Sequence, residues 1–258
     1  MGRAEQRRQL KFDKDAVARG LNLSARDPRQ LASLTRVVHA QVQDAIAAKS
    51  VTPLMQFLYS HHTVTLRSVA HIEVACKRGC SYCCHGWVSA TAPEILYSVK
   101  NLPTARIAHV TERVTQADRV TRGTSDAERA RIVLPCPLLE DHACSVYETR
   151  PVICRSVVST DALVCARSCL QRTDEDVPTP PVYFALSDAY TVALACALKK
   201  AGLEHRAFEQ NAGLKAALVT PGAEQDWLTG KSVFPGVLKD HDLLNDPWVR
   251  TLYAKTFP

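Results

Sequence analysis

At 258 residues, with a formal charge of +6 at neutral pH, the chain can bury an interior without covalent staples, so its ten cysteines are not needed to hold a small fold together. The N-terminus MGRAEQRRQLKFDKDAVARG is charged throughout, and no apolar run approaching the ~20 residues of a membrane helix is read, which points to a soluble protein in the reducing cytosol rather than a disulfide-stapled or membrane one. The positive excess lies on residues 1–70 (11 basic, 5 acidic side chains); with few aromatic residues interleaved it reads as a solvated helical surface, which argues against nucleic acid as a partner.

Asp27-Pro28 is an N-cap and N1 pair, and Leu31, Leu34, Val38, Val42 and Ile46 then recur at helical spacing up to about Lys49. Thr52-Pro53 opens a second helix toward His71, with His61-His62 near its C-terminal end. Thr91-Ala92-Pro93-Glu94 is a capping box for a short helix with Ile95 and Leu96 inward. A further helix is expected from about Thr104 to Arg122, with Ile107, Val110 and Val114 on one face and Gly123 at its C-terminal cap. Residues 134–155, LPCPLLEDHACSVYETRPVICR, read as loop and short strand, too interrupted for helices. The acidic, proline-rich TDEDVPTPP (173–181) marks a linker or lobe boundary. Helices over Ser187 to Ala201 and Glu204 to Val219 follow, then an irregular tail with Trp227 and Trp248. These two tryptophans and Trp87 are read as packing anchors.

CKRGCSYCC, residues 76–84, places four thiols in nine positions. On one helix Cys76 and Cys84 would stand ~12 Å apart along the axis, beyond the reach of one metal. The stretch is therefore a loop folded around one centre, which Gly79 permits, or a ladder serving two. Neighbouring side chains diverge on helix and strand alike, so Cys83 and Cys84 are not expected to bind the same ion. Cys136, Cys144 and Cys154 supply further donors, and Cys165 and Cys169 lie one helical turn apart. Nine candidate thiols exceed the four of a single zinc site or single iron–sulfur cluster, so two centres, or one polynuclear centre with spare thiols, follow. Lys77, Arg78, Arg150 and Arg155 are placed to donate hydrogen bonds to sulfur.

C-x3-C-x2-C-C, then CPLL, then C-S-V-Y-E-x-R-P and C-R, resembles the YkgJ-like family of cysteine-cluster proteins, described as zinc- or iron-chelating. The matching positions are Cys76, Cys80, Cys83, Cys84, Cys136, Cys144, Tyr147, Glu148, Arg150, Pro151, Cys154 and Arg155. The resemblance implies metal chelation and leaves the metal and the reaction open. Related cysteine-cluster proteins include the flagellin lysine N-methylases, for which an iron–sulfur cluster is expected. No glycine-rich strand-to-helix turn for S-adenosylmethionine is present here.

Among the remaining candidates, Cys196 lies in apolar VALACALKK and reads as a small hydrophobe. His85 and His142 are assigned roles around the cluster rather than on the metal, Glu94 its cap, and Glu148 a partner in Arg150. The expectation is a mainly α protein with an irregular cysteine-rich metal-binding core: an N-terminal helical region 1–70, a cysteine-cluster domain 71–172 and a C-terminal helical region and tail 173–258. Iron, as an iron–sulfur cluster, is favoured over zinc, which is the alternative or second-site metal. The protein is then an enzyme acting on a peptide, protein or small molecule, or a zinc-bound structural module.

Overall fold

The computed structural model describes residues 2–18, 20–21, 27–237 and 239–258. Over these residues the fold is mainly α, as expected: twelve α-helices accompany four strands of only two or three residues, so apolar burial rests on helix faces. One hydrophobic cluster draws on residues from 1–70, 71–172 and 173–258 alike.

Helices α1 (Arg3–Val17), α2 (Pro28–Ala48) and α3 (Thr52–Arg67) open the chain. Asp27 caps α2 by accepting from the Arg29 N–H at 2.9 Å, and Leu31, Leu34, Val38 and Val42 form its buried stripe. The charged α1 is not only a solvated surface. Its Asp13 is fully buried and receives Arg36 Nε at 2.6 Å and Nη2 at 2.8 Å. Burial opposes the Asp13 charge, but hydrogen bonds from Arg36, Ser33 and Gln9 outweigh it and hold the carboxyl below its usual range.

Helix α3 differs from the sequence reading. It ends at Arg67 rather than near His71, so His61 and His62 lie in its interior and are buried, not at a helix end. His61 joins the Val17 carbonyl (2.7 Å) to the Tyr190 hydroxyl (2.6 Å), which meets Thr65 Oγ1 at 2.8 Å. His62 Nε2 meets Ser156 Oγ at 3.2 Å. Burial lowers the pKa of both rings, that of His62 to about 3, so both are neutral at pH 7.

Helix α4 (Ala92–Lys100) carries the expected capping box, and Ile95 and Leu96 are buried. In α5 (Ile107–Thr121) Val110 and Val114 face the core, whereas Ile107 begins the helix 39% exposed. Gly123 takes a left-handed φ of 79° just beyond it. The short α6 (Asp126–Arg131) follows. Residues 173–180 run without helix or strand and are tied back, Thr160 N–H to the Pro178 carbonyl at 3.0 Å and Thr179 Oγ1 to the Val158 carbonyl at 2.9 Å.

Helix α9 (Pro181–Lys200) starts six positions before the expected Ser187 and packs along α2. It is long and apolar enough to cross a membrane, contrary to the sequence reading, yet Leu186, Tyr190, Ala193, Leu194 and Leu198 are buried against protein. The helix expected over Glu204–Val219 is instead strand β4 (Ala207–Glu209) followed by α10 (Gln210–Val219). Strand β4 pairs antiparallel with β1 (Ser89–Thr91), Ser89 opposite Glu209, and the Glu209 carboxylate caps α10 through the Ala212 N–H at 2.8 Å. A helix through 204–209 would forfeit both the ladder and the cap. The tail is not wholly irregular: it contains α11 (Ala223–Leu228) and α12 (Pro247–Thr256). Trp227 is buried as expected, but Trp248 is 48% exposed and anchors no core.

Candidate metal centre

Beyond α3 the chain enters an irregular stretch. The Cys80 N–H closes a turn on the Lys77 carbonyl at 2.9 Å, and Gly79 adopts φ 92°, a left-handed conformation that costs glycine little. CKRGCSYCC is thus a loop ending in a 3-10 turn, Tyr82–His85, and not a helical ladder. The second cysteine segment is fastened to this turn by main chain, Cys136 N–H to the Cys84 carbonyl at 2.7 Å and Leu134 N–H to the His85 carbonyl at 3.4 Å.

Strands β2 (Leu139–Glu140) and β3 (Ala143–Cys144) then form a two-residue hairpin. Its turn residues Asp141 and His142 both have positive φ, 46° and 62°, as the right-handed twist of a tight hairpin requires. The loop-and-strand reading of 134–155 holds up to Thr149 but misses α7 (Val152–Ser156), which carries Cys154. Glu94 accounts for it. One carboxylate oxygen accepts from the Thr91 N–H (2.8 Å) and hydroxyl (2.6 Å), and the other accepts from the Val152 N–H at 2.8 Å, so one side chain caps both α4 and α7. Helix α8 (Ala162–Gln171), capped by Asp161, packs on the Tyr82–His85 turn and presents Cys165 and Cys169 one turn apart.

All ten cysteines are free thiols. Cys76 interacts electrostatically with Cys80, Cys83 and Cys165, and Cys169 with Cys165, Cys83 and Cys80. Cys154 interacts with Cys136, Cys83 and Cys144, and Cys136 with Cys144 and Cys83. Nine thiols therefore lie in two neighbouring groups, with Cys83 facing both and Cys84 beside it. The expected divergence of the vicinal pair is not found. Cys83 hydrogen-bonds to the Cys84 side chain, because rotation about each Cα–Cβ bond can bring together sulfurs whose Cβ atoms point apart. That bond, burial and the Cys84 charge together keep the Cys83 thiol protonated. Burial pushes Cys136 up to about 12 and Cys169 to about 11, and raises Cys76, Cys144, Cys154 and Cys165 as well.

Donors to sulfur come partly from unexpected places. The Ser159 N–H lies 3.3 Å from Cys76 Sγ, and the Ser159 hydroxyl hydrogen-bonds Cys165. Main-chain N–H groups of Leu138 and Val146, each two residues on, face Cys136 and Cys144. Gln210 Nε2 stands 3.7 Å from Cys136 Sγ. Of the four basic residues assigned to the cluster, Arg150 acts on Cys83, Cys144 and Cys154, lowering the cost of their charge. Its guanidinium lies 3.8 Å from the Tyr147 ring centroid, with Arg78 5.6 Å from the same ring, rather than pairing with Glu148. Arg155 covers the Tyr59 ring at 4.0 Å and donates to the Arg150 carbonyl at 3.0 Å, bracing the loop instead of touching sulfur. Lys77 is exposed. Arg113 and Arg172 favour charge on Cys136 and Cys169 by electrostatics alone, while their hydrogen bonds go to the Cys136 carbonyl and to the His85 and Ile132 carbonyls. No local pattern in the sequence marks Arg113, Ser159 or Gln210 as neighbours of Cys136 and Cys76, which the tertiary fold brings to them, whereas Arg172 caps the helix that carries Cys169, three residues away.

The histidines have other partners: His85 Nδ1 meets the Ser81 carbonyl at 3.1 Å and His142 Nδ1 meets Ser81 Oγ at 3.4 Å. Cys196 is fully buried on α9, as read. Its thiol is raised to about 12 by burial alone, with no other cysteine acting on it.

Among the described residues, no three His, Cys, Asp or Glu side chains converge closely enough to hold a metal ion as they stand. The donor chemistry nevertheless fits one. Thiols from four chain segments lie near one another in a half-buried region, with Arg150 offsetting charge on three of them and N–H groups of Ser159, Leu138, Val146 and Gln210 beside their sulfurs, a soft donor set of the kind a thiophilic cation takes. Cys76, Cys80, Cys83, Cys84, Cys136, Cys144, Cys154, Cys165 and Cys169 would be the ligand pool, more thiols than one ion or one cluster takes, and the bound metal would supply a thiolate-bound electrophilic or redox-active centre.

No curated protein and no solved structure matches the chain. A family model does match residues 75–174, that of the CxxCxxCC "putative zinc- or iron-chelating domain". Its name has two residues between the first pair of cysteines where this chain has the three of Lys77 to Gly79. The match contains all nine clustered thiols, excludes Cys196, and agrees with the YkgJ-like resemblance. Residues 75–174, less than half of the chain, thus match the CxxCxxCC domain, whose family is described as zinc- or iron-chelating.

Proposed function

We propose that this protein is a cytosolic metal-chelating protein whose thiols form two adjacent ligand sets joined at Cys83. One set is Cys76, Cys80, Cys165 and Cys169; the other is Cys136, Cys144 and Cys154, with Cys84 supporting the shared position. The observation that carries the reading is that Cys83 acts on Cys76, Cys165 and Cys169 on one side and on Cys136, Cys144 and Cys154 on the other. A thiolate between two donor sets suits a polynuclear centre, so iron in an iron–sulfur cluster is the favoured occupant, ahead of zinc. In either case the chain's own contribution is the same. It supplies thiols gathered in one region of the fold, arginines that offset their charge on deprotonation, and N–H donors beside sulfur.

The test is metal and acid-labile sulfide content, with the visible spectrum, on protein purified without oxygen. Iron and sulfide in near-equal amounts with visible absorption are expected. Colourless protein with two zinc ions and no sulfide would replace the cluster by two zinc sites. Protein that neither carries nor takes up metal would overturn chelation itself.

A further inference from the structure

The CxxCxxCC domain ends at residue 174, yet one side chain from far beyond it enters the thiol cluster. Gln210 is the first residue of α10 and is 5% exposed, with Nε2 3.7 Å from Cys136 Sγ. Its place is fixed twice by main chain. The Gln210 N–H donates to the Val88 carbonyl at 3.0 Å, and the preceding Glu209 both pairs with Ser89 in the ladder and caps α10. Residues 88–89 follow closely on the 3-10 turn that bears Cys83 and Cys84, and Cys136 is hydrogen-bonded to that same turn. The amide is thus held in register with the sulfur it faces.

Its energetics are unfavourable for a purely structural residue. Among the described residues Gln210 Oε1 is buried with no hydrogen-bond partner, and leaving such an acceptor unpaired costs roughly 1–3 kcal/mol. A methionine of similar length would avoid that cost and fill similar space. What methionine cannot do is donate an N–H to sulfur. An N–H···S bond matters most when the sulfur carries charge, as it does when bound to a metal, and it then fixes the direction of the ligand.

We propose that Gln210 is a positioning residue for the Cys136 thiolate, so that the metal centre of this protein extends past its cysteine domain into α10. The inference rests on the chelation reading above. It gives Gln210→Met two effects of opposite sign. The metal-free protein should be as stable as wild type or more so, while metal affinity at the set containing Cys136 should fall about tenfold, the low end of what outer-shell partners contribute. A structural role predicts the reverse, a lower unfolding midpoint and unchanged affinity.

The experiment is a competition titration of reduced, metal-free protein with Zn²⁺ against a chromophoric chelator. It is repeated with Co²⁺ to read the sulfur-to-metal absorption band, alongside urea unfolding of the metal-free forms. Weaker binding in one set and a shifted cobalt band are expected for Gln210→Met, with the other set unaffected. Gln210→Glu, which has the same shape but sets a carboxylate against the sulfur, should weaken binding further, and it serves should the methionine variant not fold. Wild-type uptake with identical affinity and spectrum in a folded variant overturns the role of Gln210 alone. A wild type that takes up neither ion overturns the chelation reading, and this inference with it.

Discussion

Glu94 holds the helical frame to the metal-binding region, and its replacement can be worked through in advance. The carboxylate is 5% exposed and accepts three hydrogen bonds, from the Thr91 N–H and hydroxyl on one oxygen and from the Val152 N–H on the other. In Glu94→Gln one of those oxygens becomes an NH2 group. If the amide keeps its oxygen toward Val152, the Thr91 hydroxyl can rotate to accept, but the Thr91 N–H is left facing another donor in a buried site. One lost charge-assisted bond and one orphaned N–H amount to about 2–3 kcal/mol, or roughly 5–10 °C in the unfolding midpoint at this chain length. Glu94→Ala removes both caps at once and should cost about 3–5 kcal/mol. The second effect separates this account from a generic core defect. Val152 is the first residue of α7 and Cys154 lies two residues on, so the glutamine variant should also speed hydrogen exchange at the Val152 amide more than at the α2 core. It should weaken metal binding most in the set containing Cys154. Urea unfolding with amide exchange checks both effects. A Glu94→Gln protein within about 0.5 kcal/mol of wild type, or exchange raised evenly along the chain, would refute the reasoning.

Two further outcomes are expected. Cys83→Ser should reduce metal content at both ligand sets, whereas Cys76→Ser and Cys144→Ser should each reduce it at one; metal analysis per chain reads this, and equal losses for all three would contradict a shared position for Cys83. In acid, the unfolded chain protonates His62 near its ordinary pKa of 6.5, while the folded chain holds it neutral down to about 3. Stability of the metal-free protein should therefore fall as pH drops from 6.5 toward 3, by about 2–3 kcal/mol from this group at pH 4.5, with His61 contributing in the same direction. Urea midpoints at pH 7 and 4.5 should converge in His62→Gln, and an unchanged slope in that variant would assign the acid loss to other groups.

What could be read from the sequence was what is local. Asp27-Pro28 and Thr91-x-x-Glu94 are complete within four residues, and the structure places both caps where they were expected. The Asp246-Pro247 cap on α12 is a signal of the same kind that the sequence reading passed over. The errors lie where distant segments decide. His61 and His62 are fixed by Val17, Tyr190 and Ser156, none of them near in sequence. Strand β4 exists because Ser89–Thr91 offers it a ladder. Within the cluster, residue type and spacing separated the nine interacting cysteines from Cys196, because an apolar helix and a run of thiols differ in composition. The donors Ser159 and Gln210 left no such trace: a serine and a glutamine acquire meaning beside sulfur only when the fold has put them there.

The size of the elements that bear the thiols gives a final expectation. A 3-10 turn of four residues, strands of two and a helix of five cannot stand alone. In a zinc finger the metal compensates for such weakness, and the apo form unfolds. Here the helical frame does much of that work through side chains that end on the loop. The Thr149 carbonyl accepts from Tyr59 at 3.2 Å and from Ser98 at 3.1 Å, Glu94 holds Val152, and His62 meets Ser156. Each of these anchors comes from α3 or α4 and none requires a ligand on sulfur. Stripping the metal with a chelator under reducing conditions should therefore leave the far-ultraviolet helical signal and a cooperative unfolding transition in place. Faster amide exchange should be confined to the 76–84 loop, the hairpin and α8, which lack that bracing from α3 and α4. Collapse of the helical signal together with the metal would mean that chelation folds this protein, and that the anchors are a consequence of metal binding and not its foundation.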